Sequence, residues 1–143
     1  MSINRILTKG ETMNKIKVIV VEPEKEPYIK EIDDTLEAKQ KLVGGDIEIV
    51  SSFFSDKVDY DFIINEEGKI RGLPLNRWIW DKKDAVAGNL IIAKSDYYTG
   101  EFVDMDDNDI SFVLEKIKTE CPKFTFEEFL RLHPEHDLEE VER

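Results

Sequence analysis

At 143 residues and 16.7 kDa the chain is one domain's worth, and a chain this long buries roughly 68–70% of its extended-state surface on folding, enough for a core without covalent staples. With 41% hydrophobic and 36% charged residues it is too apolar for a disordered chain, and a formal charge of −12 opposes a surface for phosphate backbones, so no direct nucleic-acid binding is expected. The single cysteine, Cys121, excludes an internal disulfide framework and suits a reducing compartment.

Arg5 and Lys9 flank only the short apolar step Ile6-Leu7, where a secretory signal would need about 7 to 15 apolar residues, so a cytoplasmic location is expected. Lys9-Gly10-Glu11-Thr12-Met13 can be encoded as AAAGGAGAAACAATG, which reads as a ribosome-binding site before a start codon. Residues 1–12 therefore read either as sequence upstream of a true start at Met13 or as an ordinary flexible tail, and residues 13–143 as one domain.

The β-branched run from Lys15 to Val21 predicts a central strand stopped at Glu22-Pro23, and Pro27 to Ile32 predicts its antiparallel neighbour. A helix follows, with Asp34 as the expected cap, Glu37 three residues on, Leu36, Leu42 and Val43 on its apolar side, and Gly44-Gly45 as the stop. A third strand is expected from about Asp46, and a fourth begins with Phe62-Ile63-Ile64 and runs into the turn Asn65 to Gly68. Lys69 to Leu73 reads as the return strand of a hairpin, and Leu73 to Trp80, broken by Pro74, as a packed loop or short helix. Leu90 to Ala93 predicts a short buried strand, far below the ~20 apolar residues of a membrane span. From Asp106 the spacing of Ile110, Val113, Leu114 and Ile117 predicts a helix ended by Cys121-Pro122, and Thr125 with Glu128 opens a last short helix before Pro134. The sum is an α+β fold with a mostly antiparallel sheet of about five or six strands and two or three helices.

Asp104, Asp106, Asn108 and Glu115 match positions one, three, five and twelve of a calcium loop, but Asp109 stands where that loop needs glycine and the helical period starts too early. His133-Pro134-Glu135-His136 has no second ligand cluster, Cys121 has no companion base, and Gly44-Gly45 follows a helix where a phosphate loop would precede one. No metal, cofactor or catalytic residue is therefore expected. Trp78 and Trp80 would share a face if extended, as core or as a stacking platform.

Residues 101–143 hold fourteen acids and five bases, leaving −3 for the first hundred. A helix from Asp106 to Thr119 would be about 21 Å long, a length over which duplex DNA carries about 12 charges. It has four acids and two lysines, so nucleic-acid mimicry by this helix alone falls short.

Three ordered motifs, Val20-Val21-Glu22-Pro23 with Glu26-Pro27-Tyr28, Ile32 to Leu36 through Leu42-Val43-Gly44-Gly45, and Asn65 to Lys69 through Gly72 to Arg77, resemble a bacterial family of unknown function, number 3846 in the unknown-function series. The likeness runs from about Ile16 to Ile117 and weakens from Lys123 onward. It implies a phage or mobile-element setting and no assigned reaction. The leading expectation is a non-enzymatic binding protein acting on a host defence or regulatory protein with a basic surface, using Asp104, Asp106, Asp107 and Asp109. The alternative is a small-ligand binder, of a signalling nucleotide for example, with Arg71, Asn76, Arg77 and Trp78 as its pocket.

Overall fold

A computed structural model describes residues 14–132, so the Met13 start and the His133 to His136 cluster lie outside the described residues. The elements are β1 (Lys15–Val21), β2 (Tyr28–Asp33), α1 (Leu36–Val43), β3 (Ile47–Ser51), β4 (Asp59–Asn65), β5 (Leu75–Ile79), β6 (Asp84–Ala87), β7 (Leu90–Ser95), β8 (Phe102–Val103), α2 (Asp107–Glu120) and α3 (Phe126–Leu132). Six strands form one antiparallel sheet in the order β2-β1-β7-β4-β3, with β8 added to β7, and β5 and β6 form a separate two-stranded hairpin. The fold is α+β, as expected.

The unbroken apolar run of β1 follows from burial on both faces of the sheet. Ile16, Val18 and Val20 join Ile63, Ile91 and Ala93 beneath α1, whereas Ile19 and Val21 join Phe62, Leu90 and Ile92 beneath α2 and the hairpin. The centre of the sheet is β7, the short apolar strand from Leu90, with β1 on one side and β4 on the other.

Local chemistry corrects three expectations. The cap of α1 is Thr35, whose hydroxyl accepts from the Ala38 amide at 3.1 Å, because Asp34 is drawn aside by the buried Lys39 ammonium at 2.7 Å. Lys69 to Leu73 is no return strand. Its backbone is spent on successive turns, with the Arg71 amide donating to the Glu67 carbonyl and the Leu73 amide to that of Gly68.

The third correction is the hairpin. Residues 75–79, expected to be a loop or short helix, are strand β5, which pairs with the unforeseen β6. Their connection places Trp80, Asp81 and Lys82 at φ values of 53°, 55° and 63°, a left-handed run without glycine. No turn signature marks it in the sequence, which is why the hairpin was illegible. Asp81→Gly should therefore raise stability by up to ~1 kcal/mol, against the loss usual for introducing glycine, as read from the urea midpoint.

At the other end, Thr125 and Glu128 form the expected reciprocal cap: the Glu128 amide donates to the Thr125 hydroxyl at 3.1 Å and the Thr125 amide to Glu128 Oε1 at 2.9 Å. The same carboxylate accepts from Trp78 Nε1 at 3.2 Å and Lys82 Nζ at 2.7 Å, so one side chain docks α3 onto the hairpin. Lys82, the Thr125 amide and the indole together hold the Glu128 carboxyl down at about 2.

Candidate functional site

A bulge in β5, between Leu75 and Arg77, sets two neighbouring polar side chains inward. Asn76 Nδ2 donates to the carbonyls of Val21 and Gly88, each at 2.8 Å, tying the hairpin to the end of β1. Arg77 is 3% exposed; its Nη1 donates to the Asn76 carbonyl and to Asn76 Oδ1, and its Nη2 to the Lys25 carbonyl at 2.7 Å. All three acceptors are neutral oxygens. Burial pulls the guanidinium pKa down, with Glu26 and Cys121 acting against that.

Arg77 forms part of the wall of an open cleft of about 700 Å³, lined also by Pro27, Leu114, Ile117 and Pro122, with Lys118 and Lys123 among its polar residues. Cys121 lines it too, its thiol pushed up to about 12, first by burial and then by Glu120, and so held neutral.

The other two residues of the expected pocket lie elsewhere. Arg71 is exposed, its Nη1 reaching the Gly44 carbonyl at 3.4 Å beside Asn65, which holds the Val43 carbonyl. Trp78 packs on Phe124 with ring centroids 4.6 Å apart. The stacking platform does not form either, because the left-handed backbone at Trp80 turns that ring away to Phe53, its Nε1 donating to the Ser51 carbonyl.

The four aspartates divide. Asp106 caps α2 by accepting from the Asp109 amide, and Asp104 Oδ1 accepts from the Lys17 amide at 2.7 Å, yet both remain exposed, as does Asp107. Asp109 is buried, at 7% exposure, and accepts from the Tyr60 hydroxyl at 2.6 Å, the Asp106 amide at 2.8 Å and Lys94 Nζ at 3.0 Å. It is withdrawn from any partner because it closes the capping box and carries an ion pair. With Asp104 and Asp106 so engaged and Glu115 far along α2, the calcium pattern does not assemble; the described residues contain no group of three or more candidate metal ligands.

Composition alone did not single out Tyr97 and Tyr98, which are 77% and 91% exposed and meet edge to face at 5.3 Å. Asp96 Oδ1 accepts from the Tyr98 and Thr99 amides and fixes the turn that carries them into β8 and the acidic start of α2. The signal was Asp-Tyr-Tyr-Thr-Gly between two strands, a turn sequence with large aromatics where small polar residues suffice.

A family model described as a domain of unknown function, DUF3846, matches residues 16–118. The chain belongs to the DUF3846 family. No curated protein and no solved structure matches it. The DUF3846 region spans β1 to nearly the end of α2 and so contains the Asn76-Arg77 bulge and the Tyr97-Tyr98 turn, while the cleft wall at Cys121 to Lys123 and the docked α3 lie beyond it.

Proposed function

We propose that this is a non-enzymatic binding protein of a phage or mobile element, working in the cytoplasm by docking on a basic surface of a host defence or regulatory protein. The observation that carries the reading is the exposed Tyr97-Tyr98 pair, held on an ordered turn and followed along the chain by the exposed carboxylates of Glu101, Asp104, Asp106 and Asp107. Rigid tyrosines with a charged rim are the usual composition of a binding hot spot. The division of labour follows from physics: aromatic burial sets how slowly a complex dissociates, and exposed charge, screened beyond roughly 8 Å at physiological salt, sets how fast it forms.

The partner is found by copurification from a bacterial host with mass spectrometry, and binding is then followed by stopped flow. Asp104→Asn, Asp106→Asn and Asp107→Asn combined should slow association about tenfold at low salt with little change in dissociation. Asparagine keeps the oxygen that caps α2 and the one that meets the Lys17 amide, so the fold is preserved. Tyr98→Ala should instead speed dissociation. Association and dissociation both unchanged in these variants, or turnover of target at far below one protein per target, would sink the proposal.

A further inference from the structure

We propose that the cleft at Arg77 is a binding site for a small molecule with one oxyanion head, carboxylate or phosphate, on an aliphatic body. The argument starts from an imbalance of charge. A guanidinium cannot be deprotonated in a protein and carries five N–H donors. Arg77 spends three hydrogen bonds on neutral oxygens, and among the described residues Nε donates to nothing and no carboxylate lies within ion-pair distance. Buried arginines are ordinarily paired, because an uncompensated charge out of water is costly. The carboxylate that acts on Arg77 is that of Glu26, and it is engaged by Lys123 at 3.3 Å.

The shape of the cleft selects the rest of the ligand. Its volume of about 700 Å³ is that of a site for a small organic molecule and far exceeds a lone ion. Pro27, Leu114, Ile117 and Pro122 give it aliphatic walls, and no aromatic ring among the described residues lines it to stack a nucleobase, which disfavours the signalling nucleotide of the alternative reading. Lys118 is cationic and Ser111 lies on the exposed side of α2, both among the lining residues, while Glu26 and Glu115 among them select against a heavily charged polyanion. A single oxyanion presenting two oxygens to the Arg77 fork satisfies this arrangement.

The test is isothermal titration of the whole chain with octanoate and with octyl phosphate in parallel, octanol serving as the uncharged control. At least one anion should bind saturably at one site, at least tenfold more tightly than octanol. Arg77→Gln should abolish that preference. Because Arg77 also ties the hairpin to Lys25, Ser111→Trp is the second variant: it narrows the cleft from the exposed side of α2, leaves Arg77 itself unchanged, and should weaken binding at least tenfold. Tighter binding of octanoate than of octyl phosphate names a carboxylate ligand, and the reverse a phosphate. Absence of saturation for both anions, equal affinity for octanol, or binding unaffected by Ser111→Trp would overturn the assignment.

Discussion

Asp109→Ala should destabilise the protein by about 3–4 kcal/mol, measured as a drop in the urea midpoint at unchanged slope. The carboxylate is the one acceptor shared by the Tyr60 hydroxyl, the Asp106 amide and the Lys94 ammonium. Deleting it leaves a buried hydroxyl unsatisfied, removes half of the α2 cap and strands a half-buried cation. Each loss costs on the order of 1 kcal/mol or more, and breaking a buried ion pair reaches about 3–5 kcal/mol. The pH dependence has a definite sign. Burial pushes the Asp109 carboxyl up, but the Tyr60 hydroxyl, the Asp106 amide and Lys94 outweigh it and hold it below the ordinary aspartate value. A depressed folded-state pKa contributes stability above the unfolded-state value of about 3.9, and this is lost as pH falls below it toward the depressed one. The gap in stability between wild type and Asp109→Ala should therefore shrink on acidification through that window. Asp61, whose carboxyl burial beside Ser95 pushes up, works in the opposite sense, but it is present in both proteins and cancels in the difference. A gap that stays constant down to the acid limit would show that the Asp109 carboxyl is not depressed in the folded state.

Gly68→Ala should cost about 3 kcal/mol, the upper part of the range for forcing extra atoms into a packed site. A Cβ at Gly68 would stand 2.4 Å from the Ala87 carbonyl oxygen, a backbone atom of β6 that cannot step aside alone. The turn after β4 packs against the hairpin through this glycine, so the substitution pushes apart two parts of the molecule. Gly45→Ala is the matched control. Its Cβ would come within 2.9 Å of Arg71 Nη1, the far end of a flexible exposed side chain, and within 3.0 Å of Asn65 Nδ2. It should cost about 1 kcal/mol, and thermal unfolding of both variants tests the pair. Equal midpoints for the two would mean that the close approach at Gly68 carries no constraint.

Period and local chemistry explain which elements were legible. The strand from Lys15, the helix from Asp106 and the reciprocal cap of Thr125 with Glu128 each rest on residues within a few positions of one another, and all three are observed. The DUF3846 resemblance was likewise carried by short motifs, and the matched region agrees with it. The hairpin of β5 and β6 had no such signal, because its left-handed turn is held by packing and carries no glycine. Lys69 to Leu73 shows the converse: the sequence suits a strand, but turns starting at Asn65 capture its amides first.

What the chain determines alone is therefore its class, its acidic charge and the positions of most elements, since periodicity, propensity and capping act over a single turn or strand. The environment of each polar side chain was decided only by the tertiary structure. Asp106 and Asp109 are three residues apart with the same side chain, yet one stays exposed and the other is buried against Tyr60 and Lys94, from β4 and β7. Arg77 and Arg71 read alike as basic residues near a turn. One lies buried at a bulge in the wall of a cleft and donates to the Lys25 carbonyl, and the other remains in water. Burial of a charge depends on which distant segments close over it, and no local pattern encodes that.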